Sequence, residues 1–348
     1  VSGLSGAGAR AVLLAACAFA AGCASLSSRI AEPYDVGPSA EFAPTLERAL
    51  SIREGAVTAR EGNRIAYRLV AAAEYGLTTH YARRPDGVEF RFKTQGAPKP
   101  RQAVGTVVYL HGWGLDHASM LPWALALAEQ GYGGVLPDLR HHGESAPAPP
   151  GYGAREAGDV AALVKALERD GQLTRPLYLF GVSYGGGAAL LAALDGKVHP
   201  QGVIAMAPMI VPADAIHRMV ATMRDDEAHS LRAKLRRAWV RRWYTPARVE
   251  HQISAAGRRL RVDLRSSAIA DALRDPALPC TALVQGGADG VVDPATARVF
   301  ASPRVRYLEL EQDTHFTLPL RVDLLAPVLA QWLLSTVRCP PLILPTPK

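Results

Sequence analysis

The stretch "LYLFGVSYGGGAALLAAL", residues 177–194, decides how the whole chain is read. It opens as an apolar run suited to a buried strand and closes as a run of small residues suited to a helix. Between them Gly181, Ser183 and Gly185 form G-x-S-x-G. A serine forced onto a sharp strand-to-helix turn holds its hydroxyl above the sheet, and flanking residues without side chains let strand and helix pack that closely. The helix that follows points its free N–H groups at the same spot, which favours negative charge there. The competing reading is a small residue filling an ordinary tight turn, and the surrounding sequence has to choose between the two.

Outward from this stretch, short apolar runs alternate with helical patterns. "TVVYLHGWG" (106–114) is a strand ending in glycines, and "MLPWALALAEQGYG" (120–133) is a helix with a glycine stop. "GGVLPDLRHHGES" (133–145) is a strand running into a polar loop, and "AREAGDVAALVKALERDG" (154–171) is an amphipathic helix. "QGVIAMAPMI", "CTALVQGGADG" and "VRYLELEQDTHF" supply three more strands, and "LLAPVLAQWLLSTV" a last helix. Near-continuous apolar strands separated by helices predict an α/β fold, with a mostly parallel central sheet covered by helices on both faces. Upstream, "THYARRPDGVEFRFKT" predicts a β-hairpin around the turn signal Pro85-Asp86-Gly87. Residues 212–274 contain no comparable strand and read as a helical cap inserted before the strand at Cys280.

A serine hydroxyl needs a base. Beyond the insertion, which holds His251, the one remaining histidine is His315 in "EQDTHF", just past a predicted strand. An acid should orient it, and Asp289 sits at the exit of the strand before; Asp293 and Asp214 are the fallback acids, whereas Asp313 shares the loop of the histidine. The order Ser183, Asp289, His315 is one that strand-turn-helix nucleophiles use. A developing oxyanion needs fixed donors. The backbone N–H of Tyr184 is one candidate and that of Trp113, in "HGWG", the other, with Gly112 and Gly114 letting the loop turn back toward the serine.

With these motifs in this order, the chain from about Thr106 to Val337 resembles the α/β-hydrolase superfamily. "PDLRHHGES" is similar to the family's Asp-x-Arg-Gly-His-Gly-x-Ser: Asp138, Arg140, His142, Gly143 and Ser145 match, and His141 stands where the family usually has glycine. The resemblance implies the α/β-hydrolase fold, a serine hydrolase acting on an ester, thioester or amide of a small or medium acyl substrate through an acyl-enzyme, and no metal or organic cofactor. Relatives such as haloalkane dehalogenases and epoxide hydrolases carry aspartate at the elbow, which Ser183 does not match. An acyltransferase with the same parts, or a non-catalytic envelope binding protein on the same fold, remains open. His111, Asp138, Arg140 and His142 are expected to hold their loops together.

Hydrophobic residues make up 49% and charged residues 20% of the 348, which excludes a disordered chain. The net charge of +7 is local, because Pro212–Arg265 alone holds 13 Lys and Arg against 6 Asp and Glu. Such a block could face nucleic acid, anionic lipid or an acidic substrate, or be a solvated helical face; among partners, no nucleic acid is expected, and no oligomeric state follows. The N-terminus carries Arg10 and then "AVLLAACAFAAGCAS", apolar and small. "FAAGCAS" resembles a bacterial lipoprotein signal, with Cys23 as the lipidated residue, while "LAAC" makes Cys17 the alternative and a plain cleaved signal a third reading. The expected organisation is a signal peptide over 1–22, a tether over 23–43, the hydrolase domain over 44–339 and a Pro-rich tail over 340–348. The expected place is the periplasmic side of the bacterial envelope, held to the membrane by the lipid. Cys280 and Cys339 would then share an oxidising compartment, where a pair tends to form a disulfide; spacing alone leaves open whether they meet.

Overall fold

The structure is a computed structural model that describes residues 25–33, 39–84, 87–225 and 231–344. The chain enters through α1 (Leu26–Ala31) and α2 (Ser39–Ala49), then β1 (Arg53–Thr58), β2 (Arg64–Val70) and β3 (Ala73–Glu74). The hairpin β4 (Thr78–Arg84) and β5 (Gly87–Lys93) follows, and then β6 (Lys99–Pro100). The alternating part runs β7 (Gly105–Leu110), α3 (Leu121–Ala128), β8 (Tyr132–Pro137), α4 (Ala154–Arg169), β9 (Leu177–Val182), α5 (Tyr184–Leu194) and β10 (Gly202–Met206). Between β10 and the next strand stand α6 (Pro212–Asp225), α7 (Leu231–Trp243), α8 (Pro246–Leu260) and α9 (Ala268–Arg274). The chain then forms β11 (Cys280–Gly286), α10 (Pro294–Arg298), β12 (Val305–Leu310) and α11 (Val322–Leu333).

Among the described residues the central sheet has eight strands in the order β1-β2-β8-β7-β9-β10-β11-β12. Strands β1 and β2 are antiparallel to their neighbours, and β8 through β12 run parallel. The central strands are apolar without interruption because both faces are covered. Along β7, Val107 and Tyr109 point into one core and Val108 and Leu110 into the other. The first core includes α3 and α11 through Leu121, Trp123, Leu325 and Leu329. The second includes α4 and α5 through Val160, Val164 and Ala188, together with residues of α8 and α9. Registers Leu110↔Gly181, Val182↔Met206 and Met206↔Val284 bring the carboxyl ends of β7, β9, β10 and β11 to one edge of the sheet.

The N-terminal segment differs from the expected tether. Ser25 caps α1 by accepting from the N–H of Ser28, and Leu26, Ile30 and Ala31 are buried against the core that contains Val249, Ile253 and Ala256 of α8. Three apolar residues on one face of a short helix outweigh the polar, proline-containing composition from which a tether was expected. Two further contacts fix the same junction: Ser27 N–H donates to Gln252 at 3.0 Å, and Glu32 pairs with Arg259. The expected signal peptide and Cys23 lie outside the described residues, as do the hairpin's Pro85 and Asp86 and residues 345–348 of the tail. Up to Leu344 the tail forms no helix, and its Pro340 carbonyl accepts from Trp332 Nε1.

Cys280, the first residue of β11, is disulfide-bonded to Cys339, 59 residues later and beyond α11. A crosslink across a loop of this length restricts the unfolded chain by about 4 kcal/mol in the chain-entropy account. The double substitution Cys280→Ser/Cys339→Ser should therefore lower the urea midpoint of the oxidised protein with little change in slope. A midpoint unchanged on substitution or on reduction would mean that the bond contributes nothing to stability.

Candidate active site

Ser183 stands between β9 and α5 with φ 53 and ψ −112, a backbone conformation that non-glycine residues rarely occupy. The two flanking glycines explain how it is held there. A Cβ on Gly181 would lie 2.1 Å from the carbonyl oxygen of Gly185, and a Cβ on Gly185 would lie 2.1 Å from that of Leu110. Helix α5 therefore meets β7 and β9 at backbone distance, and the turn between has no room to relax. The Ser183 N–H donates to Met206 O at 2.8 Å, which tethers the turn to the end of β10.

His315 reaches this serine from the loop after β12. Its Nε2 lies 2.8 Å from Ser183 Oγ, and its Nδ1 lies 2.9 Å from Asp289 Oδ2. A carboxylate only accepts, so Nδ1 carries the proton and Nε2 is left to accept from the serine hydroxyl. Asp289 is itself fixed: Oδ1 accepts from the N–H groups of Val291 at 2.7 Å and Val292 at 2.8 Å, and Oδ2 accepts from Gln285 Nε2 at 2.8 Å. Gln285, fully buried on β11, was not singled out by sequence; a long polar side chain at the end of a mostly apolar strand was its signal. The acid and base loops are bound to each other as well. Ala288 N–H donates to Asp313 O, and a Cβ on Gly286 would lie 2.2 Å from that same oxygen, while one on Gly287 would lie 2.6 Å from Glu311 O, so these two glycines serve the close approach of the loops.

The other acids lie elsewhere. Asp293 caps α10 and faces Arg218, and Asp214 sits in the first turn of α6. Asp313 is buried among Arg83, Arg321, Thr317 and Tyr81, so the β4–β5 hairpin grips the loop that carries His315. His251 is exposed on α8.

The HGWG loop abuts the serine. A Cβ on Gly112 would lie 3.9 Å from Ser183 Cβ, an ordinary contact, and the backbone there needs no positive φ; that conformation falls to Gly114, at φ +71. Only Gly114 thus has the conformational role expected of both glycines. His111 sets the loop: Leu139 N–H donates to its Nε2, so Nδ1 carries the proton and donates to Gly112 O. The Trp113 ring stacks on Tyr152 at 5.2 Å and meets the Tyr184 and His142 rings edge-on at 5.1 and 5.3 Å. Tyr184 is the first residue of α5, where a backbone N–H has no partner within the helix.

A layer of buried charge supports these loops. His117 places Nδ1 2.8 Å from Asp138 and Nε2 2.9 Å from Glu47, which also accepts from Arg68. Burial opposes charge on His117, yet the hydrogen bonds to Asp138 and Glu47 prevail and raise its pKa to about 10. Arg140 holds Asp159 through two bonds of 2.7 and 2.8 Å. His141, where a glycine is usual in the family, takes φ 65. Gly143 cannot be replaced so easily, because its Cβ would lie 2.4 Å from the Asp138 carboxylate at φ +50.

A profile described as the alpha/beta hydrolase family matches residues 107–326. The chain belongs to the alpha/beta hydrolase family. Among curated proteins, the non-heme chloroperoxidase CPO-A1 of Kitasatospora aureofaciens is 34% identical over 103 residues, which are 29% of this chain and 34% of that protein. The match thus spans about a third of that relative's length. The esterase Pf2001 of Pyrococcus furiosus superposes on 88% of this alpha/beta hydrolase and 98% of its own chain, with a TM-score of 0.59 at 14% identity. An esterase of Exiguobacterium antarcticum covers 80% and 99%, with a TM-score of 0.52 at 18% identity. A bacterial membrane phospholipase A covers 85% and 89%, with a TM-score of 0.50 at 21% identity. At these identities the likeness is one of fold.

One buried histidine, His142, should make this hydrolase lose stability to acid in a defined direction, opposite to that of His117. Burial, aided by His111, pushes His142 down to about 3, and its Nδ1 donates to the Arg140 carbonyl. A histidine with a depressed folded pKa contributes stability that is complete above its unfolded value of about 6.5 and is lost as pH falls toward the folded value. His142→Asn keeps a donor for that carbonyl but does not titrate. Its melting temperature should fall less steeply than wild type between about pH 6.5 and 4, as read by calorimetry; parallel slopes would show that His142 titrates normally.

Proposed function

We propose that this protein is a serine hydrolase that cleaves an ester, or a related thioester or amide, of a small or medium acyl substrate through an acyl-enzyme on Ser183. One observation carries the proposal: a hydrogen-bonded chain Ser183–His315–Asp289 whose serine occupies a strained turn at the N-terminus of a helix. Ser183 Oγ attacks the acyl carbonyl while His315 Nε2 takes its proton, and Asp289 holds the imidazole in the tautomer that can accept it. The N–H groups of Tyr184 and Trp113 face the oxyanion. His315 then hands its proton to the leaving group, and water, deprotonated by the same imidazole, releases the acid. Family membership and a fold shared with two esterases support the ester reading.

The same proposal places the protein on the exported side of a bacterial membrane, with the lipidated Cys23 as its anchor. The Cys280–Cys339 bond supports an oxidising compartment, and the small-residue box before Cys23 supports the lipid. The mature N-terminal peptide should carry acyl mass on Cys23; an unmodified peptide that begins beyond it would overturn the anchor.

A fluorophosphonate probe should label Ser183 and leave Ser183→Ala unlabelled. On p-nitrophenyl esters, Ser183→Ala and His315→Ala should each lose on the order of a millionfold in kcat, and Asp289→Asn about ten-thousandfold. His251→Ala should remain near wild type. A folded protein that takes no label and turns over no ester would instead favour a binding module on this fold.

A further inference from the structure

The basic insertion has no part in the triad, yet its α7 is the most unusual surface of the chain. Its sequence, "LRAKLRRAWVRRW", holds no acidic residue. Leu235, Trp239 and Trp243 follow one another at four-residue steps and therefore lie along one side of the helix. They are 64%, 43% and 51% exposed, a large apolar area to leave in water. Val240, by contrast, is buried. Cations stand at one end of the stripe: Arg242 and Arg248 are exposed, and their guanidinium carbons lie 5.6 and 5.4 Å from the Trp243 ring, while Lys234 and Arg241 are exposed on the other side of the helix. Cation–π contacts of this kind keep arginine charge beside the tryptophan without burying either group.

We propose that this face of α7 docks onto an anionic lipid bilayer. Leu235, Trp239 and Trp243 enter the boundary between headgroups and acyl chains, and the flanking Arg242 and Arg248 meet acidic headgroups. The chemistry fits that occupant in both of its parts. Tryptophan and leucine along one side of a helix with arginine at their edge is a composition suited to a membrane interface. A purely electrostatic partner such as nucleic acid would have no use for an exposed leucine in register with two tryptophans. Among the described residues no helix is long and apolar enough to cross a membrane, so the contact is peripheral.

The fold gives the docking a direction. Helix α1 packs on α8, α8 on α6 and α6 on α7. Ser25, two residues after Cys23, thus begins in the same helical layer that presents the stripe. An acyl chain on Cys23 and the α7 face would reach one bilayer together, each weak alone and strong in combination. The α7 surface does not depend on that lipid, and it shares no residue with the triad.

The test uses the chain from residue 23 onward with Cys23→Ser, which keeps every described element and carries no lipid. It is sedimented with vesicles of phosphatidylcholine mixed with phosphatidylglycerol and, separately, with pure phosphatidylcholine. The expected result is binding to the anionic vesicles that weakens with added salt, with a blue shift of tryptophan emission. Trp239→Ala/Trp243→Ala should weaken partitioning by about tenfold or more. Leu334→Ser, which removes an equally exposed apolar side chain at the end of α11, should bind as before, and so should Ser183→Ala, so docking and hydrolysis can fail separately. Because the two tryptophans are exposed, an unchanged melting temperature and unchanged turnover of a short soluble ester will show the double variant to be folded. Equal vesicle binding by the double variant would overturn the proposal. So would equal binding to both vesicle types, or binding to duplex DNA without binding to vesicles.

Discussion

The approach of α5 to β7 and β9 at backbone distance is the constraint on which the site depends. It exists because Gly181 and Gly185 carry no side chains, and either Cβ would overlap a carbonyl. With helix and strand locked that closely, the residue between them has to take the strained φ 53 that lifts its hydroxyl out of the sheet. Strain of this kind, on the order of 1–3 kcal/mol, persists only where the surroundings over-determine the backbone. Here those surroundings are β7, β9 and β10 at the centre of the sheet, whose apolar residues are almost wholly out of water. The core does more than stabilise the fold, because it supplies the rigidity that keeps one serine in a costly conformation.

The partners of that serine depend on loops, and loops need other means of fixation. The structure ties the acid loop to the base loop through Ala288 N–H and Asp313 O, and ties the base loop to the hairpin through Asp313, Arg83 and Arg321. The HGWG loop is held by His111, whose two ring nitrogens bridge Gly112 and Leu139. Below it, His117 lies between two carboxylates. Buried charges are tolerated there because each has a partner, and removing one partner would strand the others. The site is thus precise where backbone packs on backbone, and equally precise where polar side chains replace that packing.

The parts legible in the sequence were those encoded locally. A buried strand, two glycines around a serine and a helix of small residues are contiguous, and β11 and β12 each carry a reactive residue just past their ends. The parallel sheet and the grouping of Ser183, Asp289 and His315 follow from that order. What escaped was non-local. Gln285 supports Asp289 from inside a strand that otherwise reads as apolar. The Glu47–His117–Asp138 set joins residues separated by as much as 91 positions, with no motif linking them. The disulfide needed two chain segments to meet, which no spacing announces. Gly112 shows the opposite error: a glycine beside a needed glycine invites the same explanation, although only Gly114 takes the left-handed conformation.

The N-terminal segment changes how the whole molecule is understood. Composition marks residues 23–43 as a tether, whereas α1 is part of the packed structure. The Ile30 carbonyl accepts from the Tyr152 hydroxyl at 2.8 Å, Tyr152 stacks on Trp113, and Trp113 meets Tyr184. A continuous line of contacts therefore runs from the first described helix to Tyr184, the residue after the serine. Aromatic stacking transmits position well because the rings are rigid and tightly packed. Helix α1 is therefore packed with α8 in the same core that holds α4 and α5, rather than lying outside the domain.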